Sequence, residues 1–310
     1  MARPPLAPPV SSVLDLIGNT PVVKLRSIGS DSGADLFVKL EFLSPGGSVK
    51  DRIGIGMIRS AERRGLIKPG WTLVEPTAGN TGVALALAGV QLGYKVILVV
   101  PEHFSVEKRQ LMKALGGDVV LTSESGGMKG AIEKAEEIAR TTENAYVFQQ
   151  FRNPFNADAH YETTGPEIFE QMEGRIDSFV AGAGTGGTFT GTVRYLKERI
   201  PSMRAILVEP QGSVFQGGEA GPHDVEGIGS SFIPEVLDLE LADEIVMVPD
   251  PPAFTMVARL AREEGILAGS SAGANLVAAE AEARKLGPGK RIATLIPDSG
   301  ERYLSKGIYS

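Results

Sequence analysis

Lys50 is the residue whose type and setting carry the most chemistry. It stands in Ser44-Pro-Gly-Gly-Ser-Val-Lys50-Asp-Arg52, a glycine loop running into a helical pattern. An ordinary lysine keeps its ammonium in water. One in the first turn of a helix faces the unfavourable end of the dipole, which lowers the cost of its neutral form. A neutral amine is what Schiff-base chemistry requires. The loop is not a Walker A loop, which needs G-x-x-x-x-G-K-[ST].

Three other stretches read as one design: a strand, a loop of small residues, then a helix. They are Glu75-Pro-Thr-Ala-Gly-Asn-Thr-Gly82, Ala181-Gly-Ala-Gly-Thr-Gly-Gly-Thr188 and Ala268-Gly-Ser-Ser-Ala-Gly273. Each would present bare backbone N–H groups at a helix N-terminus, where a carboxylate or phosphate is the natural guest. Small residues also make ordinary tight turns, so one such loop says little; three in one chain point to ligand binding. The middle one, Gly182-Ala-Gly184-Thr-Gly-Gly187, also fits G-x-G-x-x-G, with Glu209 ending the next strand where a ribose-binding acid would sit. That keeps a nicotinamide or flavin oxidoreductase open. Against it, Thr185 and Thr188 suit one terminal phosphate, and the unit begins near residue 178, leaving the first half of the chain without a role.

Composition narrows the field. The chain of 310 residues has no cysteine, which excludes disulfides, a thiol nucleophile, thiolate metal sites and iron–sulfur clusters. His103, His160 and His223 are far apart and show no metal spacing, so no metal site is expected. A formal net charge of −7 suits neither a nucleic-acid backbone nor a basic membrane patch. The apolar runs are too short to span a bilayer, and the proline-rich start lacks a signal-peptide core. A cytoplasmic, soluble protein with a disordered arm over 1–12 is expected.

The elements that must position these loops alternate. Strands are predicted at Leu36–Leu40, Trp71–Glu75, Lys95–Val100, Asp118–Thr122, Ser178–Ala181, Ala205–Glu209 and Arg291–Ile296. Helices are predicted at Val49–Arg64, Thr81–Leu92, Ser105–Leu115, Met128–Arg140, Gly187–Arg199, Phe254–Glu264 and Ala272–Lys285, and Gln211–Ser231 is loop-like. Such alternation argues an α/β fold with parallel sheets covered by helices. Two α/β units meeting near residue 150 fit it best. His160 reads as structural rather than catalytic, Glu133, Glu136 and Glu137 as a solvated helix face, and Trp71 as a packing residue.

The ordered set of motifs is similar to one family. Ser48-Val-Lys50-Asp-Arg52, Pro76-Thr-Ala-Gly-Asn-Thr-Gly82, Gln149-Gln-Phe-Arg-Asn-Pro154, Thr163-Thr-Gly-Pro-Glu-Ile168, Gly184-Thr-Gly-Gly-Thr188, Gly269-Ser-Ser-Ala-Gly273 and Pro297-Asp-Ser-Gly300 resemble the pyridoxal-phosphate enzymes of the cysteine synthase and cystathionine β-synthase family. The likeness runs from about Val13 to Tyr309. It implies fold-type II, two α/β domains with parallel-rich twisted sheets and the cofactor in the cleft: a smaller one over 41–154 and a larger one over 13–40 with 155–310.

By the same resemblance, Lys50 is the lysine that binds pyridoxal 5'-phosphate and serves as catalytic base. Gly184, Thr185, Gly186, Gly187 and Thr188 would hold its phosphate, Asn80 its ring oxygen and Ser271 its ring nitrogen, with Pro297 and Asp298 beside them. Thr77, Ala78, Gly79, Asn80 and Thr81, with Gln150 and Gly227, would receive the substrate. The implied reaction is β-replacement on O-acetyl-L-serine or L-serine by a sulfur nucleophile, through an α-aminoacrylate. A homodimer is implied, and serine acetyltransferase is a candidate partner. Ala78 and Gly46-Gly47-Ser48, with Val208-Glu-Pro-Gln-Gly-Ser213 and Val225-Glu-Gly-Ile-Gly-Ser-Ser-Phe-Ile-Pro234, look like cystathionine β-synthases, which use homocysteine. Glu102–Ala114, Met128–Ile132 and Ser299-Gly-Glu-Arg-Tyr303 look like cysteine synthases, which use sulfide. The balance leans to the cystathionine type.

Overall fold

The computed structural model describes residues 8–77, 79–102 and 104–309; Ala78, His103 and the first seven residues of the expected arm lie outside the described residues. At the arm's end, Ser12 caps a 3-10 turn over Val13–Leu16. The chain then enters β1 (Val22–Lys24) and β2 (Asp35–Leu40), and passes through the lysine loop into α1 (Lys50–Arg63). Ile53, Met57, Ile58 and Ala61 put the buried face of α1 at helical spacing.

A four-stranded sheet follows. It is built from β3 (Thr72–Pro76), α2 (Asn80–Gln91), β4 (Lys95–Pro101), α3 (Val106–Ala114), β5 (Asp118–Thr122), α4 (Gly127–Thr141) and β6 (Ala145–Val147). Its order is β5-β4-β3-β6, all parallel. Two helices, α5 (Phe155–Glu162) and α6 (Thr164–Gln171), lead to β7 (Ser178–Gly182), α7 (Gly187–Arg199) and β8 (Arg204–Pro210). After the glycine-rich loop come β9 (Glu244–Val248), α8 (Asp250–Glu264), α9 (Ser270–Leu286) and β10 (Arg291–Ile296). The second sheet has the order β1-β2-β10-β7-β8-β9, parallel except for β1 on β2.

Both faces of the six-stranded sheet are covered. Leu36, Val38, Val180, Ile206, Val208, Ile292 and Ile296 pack into one core, and Phe179, Ala181, Ala205, Leu207, Ala293 and Leu295 into the other. Alternate residues of one strand therefore feed opposite cores, as a parallel sheet between helix layers requires. Each fully buried aliphatic side chain here stabilises by about 1.5–3 kcal/mol.

Sequence patterning missed β1, β6, β9, α5 and α6 for physical reasons. β1 and β6 have three residues each. β9 is a half-exposed edge strand, and α5 buries Asn156 and His160 on its packing face, which reads as polar. One expectation is corrected: the third glycine loop does not follow a strand. It joins α8 to α9, with only a single bridge from Ala268 to Ser299. Among the described residues no helix is long and apolar enough to cross a membrane.

Behind Lys50 lies a buried ion network. Arg52 donates Nε and Nη2 to Glu41 at 2.6 and 2.9 Å, and Nη1 and Nη2 to Glu167 at 2.7 Å each. Lys39 joins Glu167 at 2.8 Å, and Thr20 donates to Glu41 at 2.7 Å. Burial pushes the Glu167 carboxyl up, but Arg52 and Lys39 outweigh it and hold the group at about 2. The network ties α1 to α6 and to β2, so the turn carrying Lys50 is held from below.

Candidate active site

One cavity gathers the sequence-derived residues. It has a volume of about 340 Å³, within the range of roughly 300–1,000 Å³ that suits small ligands. Lys50, Thr77, Gly79, Asn80, Thr81, Gln150, Gly184, Thr185, Gly227, Ser271, Pro297 and Asp298 all line it. Gly186 and Thr188 border an adjoining void of about 20 Å³ that Lys50 also reaches. Gly187 is the first residue of α7, buried beside them. Ala78 lies outside the described residues.

Three helices aim uncapped N-termini at this space. α2, α7 and α9 start after Gly79, Gly186 and Gly269, and none has a side-chain cap. Their first N–H groups therefore stay bare, a ready anion site. Gly186 sits at φ +89°, a left-handed conformation that a glycine adopts at little cost. By contrast, α3 is closed conventionally: Ser105 Oγ accepts the Lys108 N–H at 3.2 Å.

The two threonines of the α7 loop are braced from behind. Asn156 Nδ2 donates to Thr185 Oγ1 at 2.9 Å, which leaves the threonine's own proton to donate elsewhere. Thr188 Oγ1 lies 3.1 Å from His160 Nε2, and Thr164 Oγ1 lies 2.8 Å from His160 Nδ1. Burial, with Arg52 and Lys50 nearby, holds His160 well below its ordinary range, so the ring is neutral. Its place is structural, as its sequence context suggested. Glu209 corrects the oxidoreductase reading: its two oxygens accept the N–H groups of Phe215 and Gln216 at 2.8 and 3.1 Å, so it fastens the glycine-rich loop.

Burial pulls the Lys50 amine below its usual range, opposed by the charge of Asp298. Asp51 Oδ2 accepts the Gly46 N–H at 2.6 Å, and the Ser48 N–H also lies against the carboxyl. Burial pushes Asp51 up to about 7, against the Gly46 bond and Arg302. On the facing rim, Thr81 donates to Gln150 Oε1 at 2.7 Å. Glu75 holds the Gln149 and Gln150 N–H groups at 3.0 and 3.1 Å, which fixes the chain at Gln150.

Sequence reasoning missed several residues at the rim. Lys108 reaches Glu226 at 2.9 Å and the Tyr303 hydroxyl at 3.2 Å. Arg302 donates to Asn80 Oδ1 at 2.6 Å. The only signal for them was their place inside segments that matched the family without an assigned role.

Known proteins agree with this geometry. The family described as "Pyridoxal-phosphate dependent enzyme" matches residues 13–298. A cysteine synthase of Staphylococcus aureus (strain N315) is 50% identical over 305 residues, covering 97% of this chain and 98% of that protein. An O-acetylserine dependent cystathionine beta-synthase of Bacillus subtilis (strain 168) is 48% identical over 300 residues, covering 97% and 98%. The crystal structure of the O-acetylserine dependent cystathionine beta-synthase from Helicobacter pylori superposes with a TM-score of 0.93 at 47% identity, covering 98% of this chain and 100% of that one. The family match spans all three glycine-loop segments and Lys50, and the fold is the α/β fold-type II arrangement that its motifs imply. The chain belongs to the pyridoxal-phosphate-dependent enzymes, and pyridoxal phosphate is its cofactor.

Proposed function

We propose that the chain catalyses β-replacement on O-acetyl-L-serine or L-serine, exchanging the β-substituent for a sulfur nucleophile, with homocysteine as acceptor. The observation that carries this is the single cavity in which Lys50 faces the bare N-terminus of α7. Those residues fit the cofactor: an anion cradle for its phosphate, a lysine pulled toward neutrality for its aldehyde, and neutral partners for its ring. The reading takes 41–154 as a smaller domain and 13–40 with 155–310 as a larger one, and a homodimer as the working form.

When bound, the cofactor supplies an electron sink that acidifies the amino acid's Cα–H and loosens the β-substituent. Gly184 to Thr188 would hold the phosphate through α7 N–H groups and threonine hydroxyls. Ser271 would meet the ring nitrogen, and as a neutral group it would not hold a proton there as a carboxylate would, which suits a modest electron sink and a good leaving group. Asn80 would donate to the ring oxygen. The loop and first residues of α2, from Thr77 to Thr81, with Gln150, would hold the substrate carboxylate. Lys50 takes the Cα proton as general base and returns one to Cα after the sulfur adds at Cβ. Gly227, Pro297 and Asp298 wall the site.

Ala78 and Gly47, which look like cystathionine β-synthases, support homocysteine; the 50% identical Staphylococcus aureus cysteine synthase favours sulfide as the second reading. The test is kcat/KM for O-acetylserine and for serine, each with homocysteine and with sulfide. Higher kcat/KM with homocysteine is expected. A preference for sulfide moves the chain to the second reading, and no sulfur product from either donor overturns both.

A further inference from the structure

The segment after β10 bonds four residues at or near the cavity mouth. Ser299 caps a 3-10 turn over Gly300–Lys306. From it Arg302 bonds Asn80, Tyr303 bonds Asp298, Ser305 reaches Glu107 at 3.0 Å, and Lys306 bonds Glu226. We propose that Arg302 is a positioning residue: it sets the amide of Asn80 so that an N–H serves the cavity, and it locks the lysine loop to that amide. The proposal rests on the reading that Asn80 meets the cofactor's ring oxygen.

The argument is one of donor and acceptor identity. An amide can turn either edge to a neighbour, but a guanidinium only donates. Arg302 Nη1 is 2.6 Å from the amide on one side, so that atom is the oxygen. On the other side Asp298 Oδ2 accepts from Asn80 Nδ2 at 2.7 Å. Two neighbours of opposite and fixed polarity thus lock the amide in one orientation. Asn80 Nδ2 keeps a second N–H, and Asn80 lines the cavity. An ionised ring oxygen is the acceptor it suits. The Thr81–Gln150 pair has no such lock, because a hydroxyl can donate or accept.

The same guanidinium also donates to the Gly46 carbonyl, four residues before Lys50. Gly47 gives it room. It sits at φ +74°, and a Cβ there would lie 2.6 Å from Arg302 Nη2. Gly46 in turn donates to Asp51 at 2.6 Å. The lysine loop and the N-terminus of α2 are therefore clamped by one side chain, which fixes Lys50 relative to the Asn80 donor.

The test uses cofactor-loaded protein and the ratio of its two visible absorption bands, ring oxygen ionised or protonated, at fixed pH. An N80A variant reports the donor itself; R302M removes the lock; R302K keeps a donor-only group; G47A crowds the guanidinium from the loop side. R302M is expected to move the ratio toward the protonated form by about fivefold, in the same direction as N80A. R302K should recover part of this, and G47A should give a smaller shift of the same sign. If N80A moves the ratio while R302M and G47A do not, the positioning role is overturned and the Asn80 reading stands. If N80A leaves the ratio unchanged, the Asn80 reading fails and the positioning role with it. Should R302M not fold, R302K and G47A decide between the same outcomes.

Discussion

Two regions lie within a few residues of each other on either side of Lys50, and they treat polar groups in opposite ways. Below α1, the Arg52 network spends every strong donor: Nε, Nη1 and Nη2 all reach carboxylates, and Glu41 and Glu167 use both oxygens. Above it, α2, α7 and α9 open without side-chain caps, and buried Asn156 Oδ1 and Asp298 Oδ1 have no partner among the described residues. Buried polar groups are normally satisfied. Between these two regions the satisfied network lies in the scaffold and the bare helix starts border the cavity.

The largest effect that would break this contrast comes from the open side. Lys50→Ala should lower kcat by at least ~10²–10⁴-fold, because the general base is gone. Steady-state turnover checks it, and a variant with normal turnover would sink the proposed mechanism. On the closed side, Arg52→Met removes the guanidinium that pairs buried Glu41, while Glu167 keeps only Lys39. It should cost about 3–5 kcal/mol of stability in denaturant unfolding. A loss below about 1 kcal/mol would show that the network contributes little to the fold.

Asp51 sharpens the comparison from the boundary, buried with its carboxyl on the Gly46 N–H. Its carboxyl is raised from 3.8 to about 7, first by burial. The folded protein therefore holds a proton that the unfolded chain releases, and ionising the group costs stability as pH rises from about 4 to about 7, with no further cost above. Asp51→Asn carries no such cost. Its melting temperature relative to the parent should climb between about pH 4 and pH 7 and level off above. A flat difference would show that Asp51 is ionised throughout.

Much of this was legible in the sequence because the signals were local. The burial face of α1, the Ser105 cap of α3 and the glycine starts of α2, α7 and α9 are written in consecutive residues. The proposed phosphate cradle at Gly184–Thr188 could be found as an anion site, though its glycine spacing alone did not tell it from a dinucleotide loop. Glu209 shows why: its partners are the Phe215 and Gln216 N–H groups in a loop whose path no periodicity describes. Arg302 and Asn80 are separated by more than two hundred residues, as are Lys50 and Asp298. Such pairs exist only once both sheets have formed, so residue spacing carries no trace of them.

β10 lies in the middle of the six-stranded sheet, hydrogen-bonded to β2 on one side and β7 on the other. β2 and β7 pair with β10 and not with each other, so the two flanks of the sheet meet only through a strand that follows both by many residues in the chain. Asp298 and Arg302 come directly after that strand. Among the described strands the last in chain order is thus the keystone, and the pairing of highest sequence separation is also the one that sets these two side chains against the cavity.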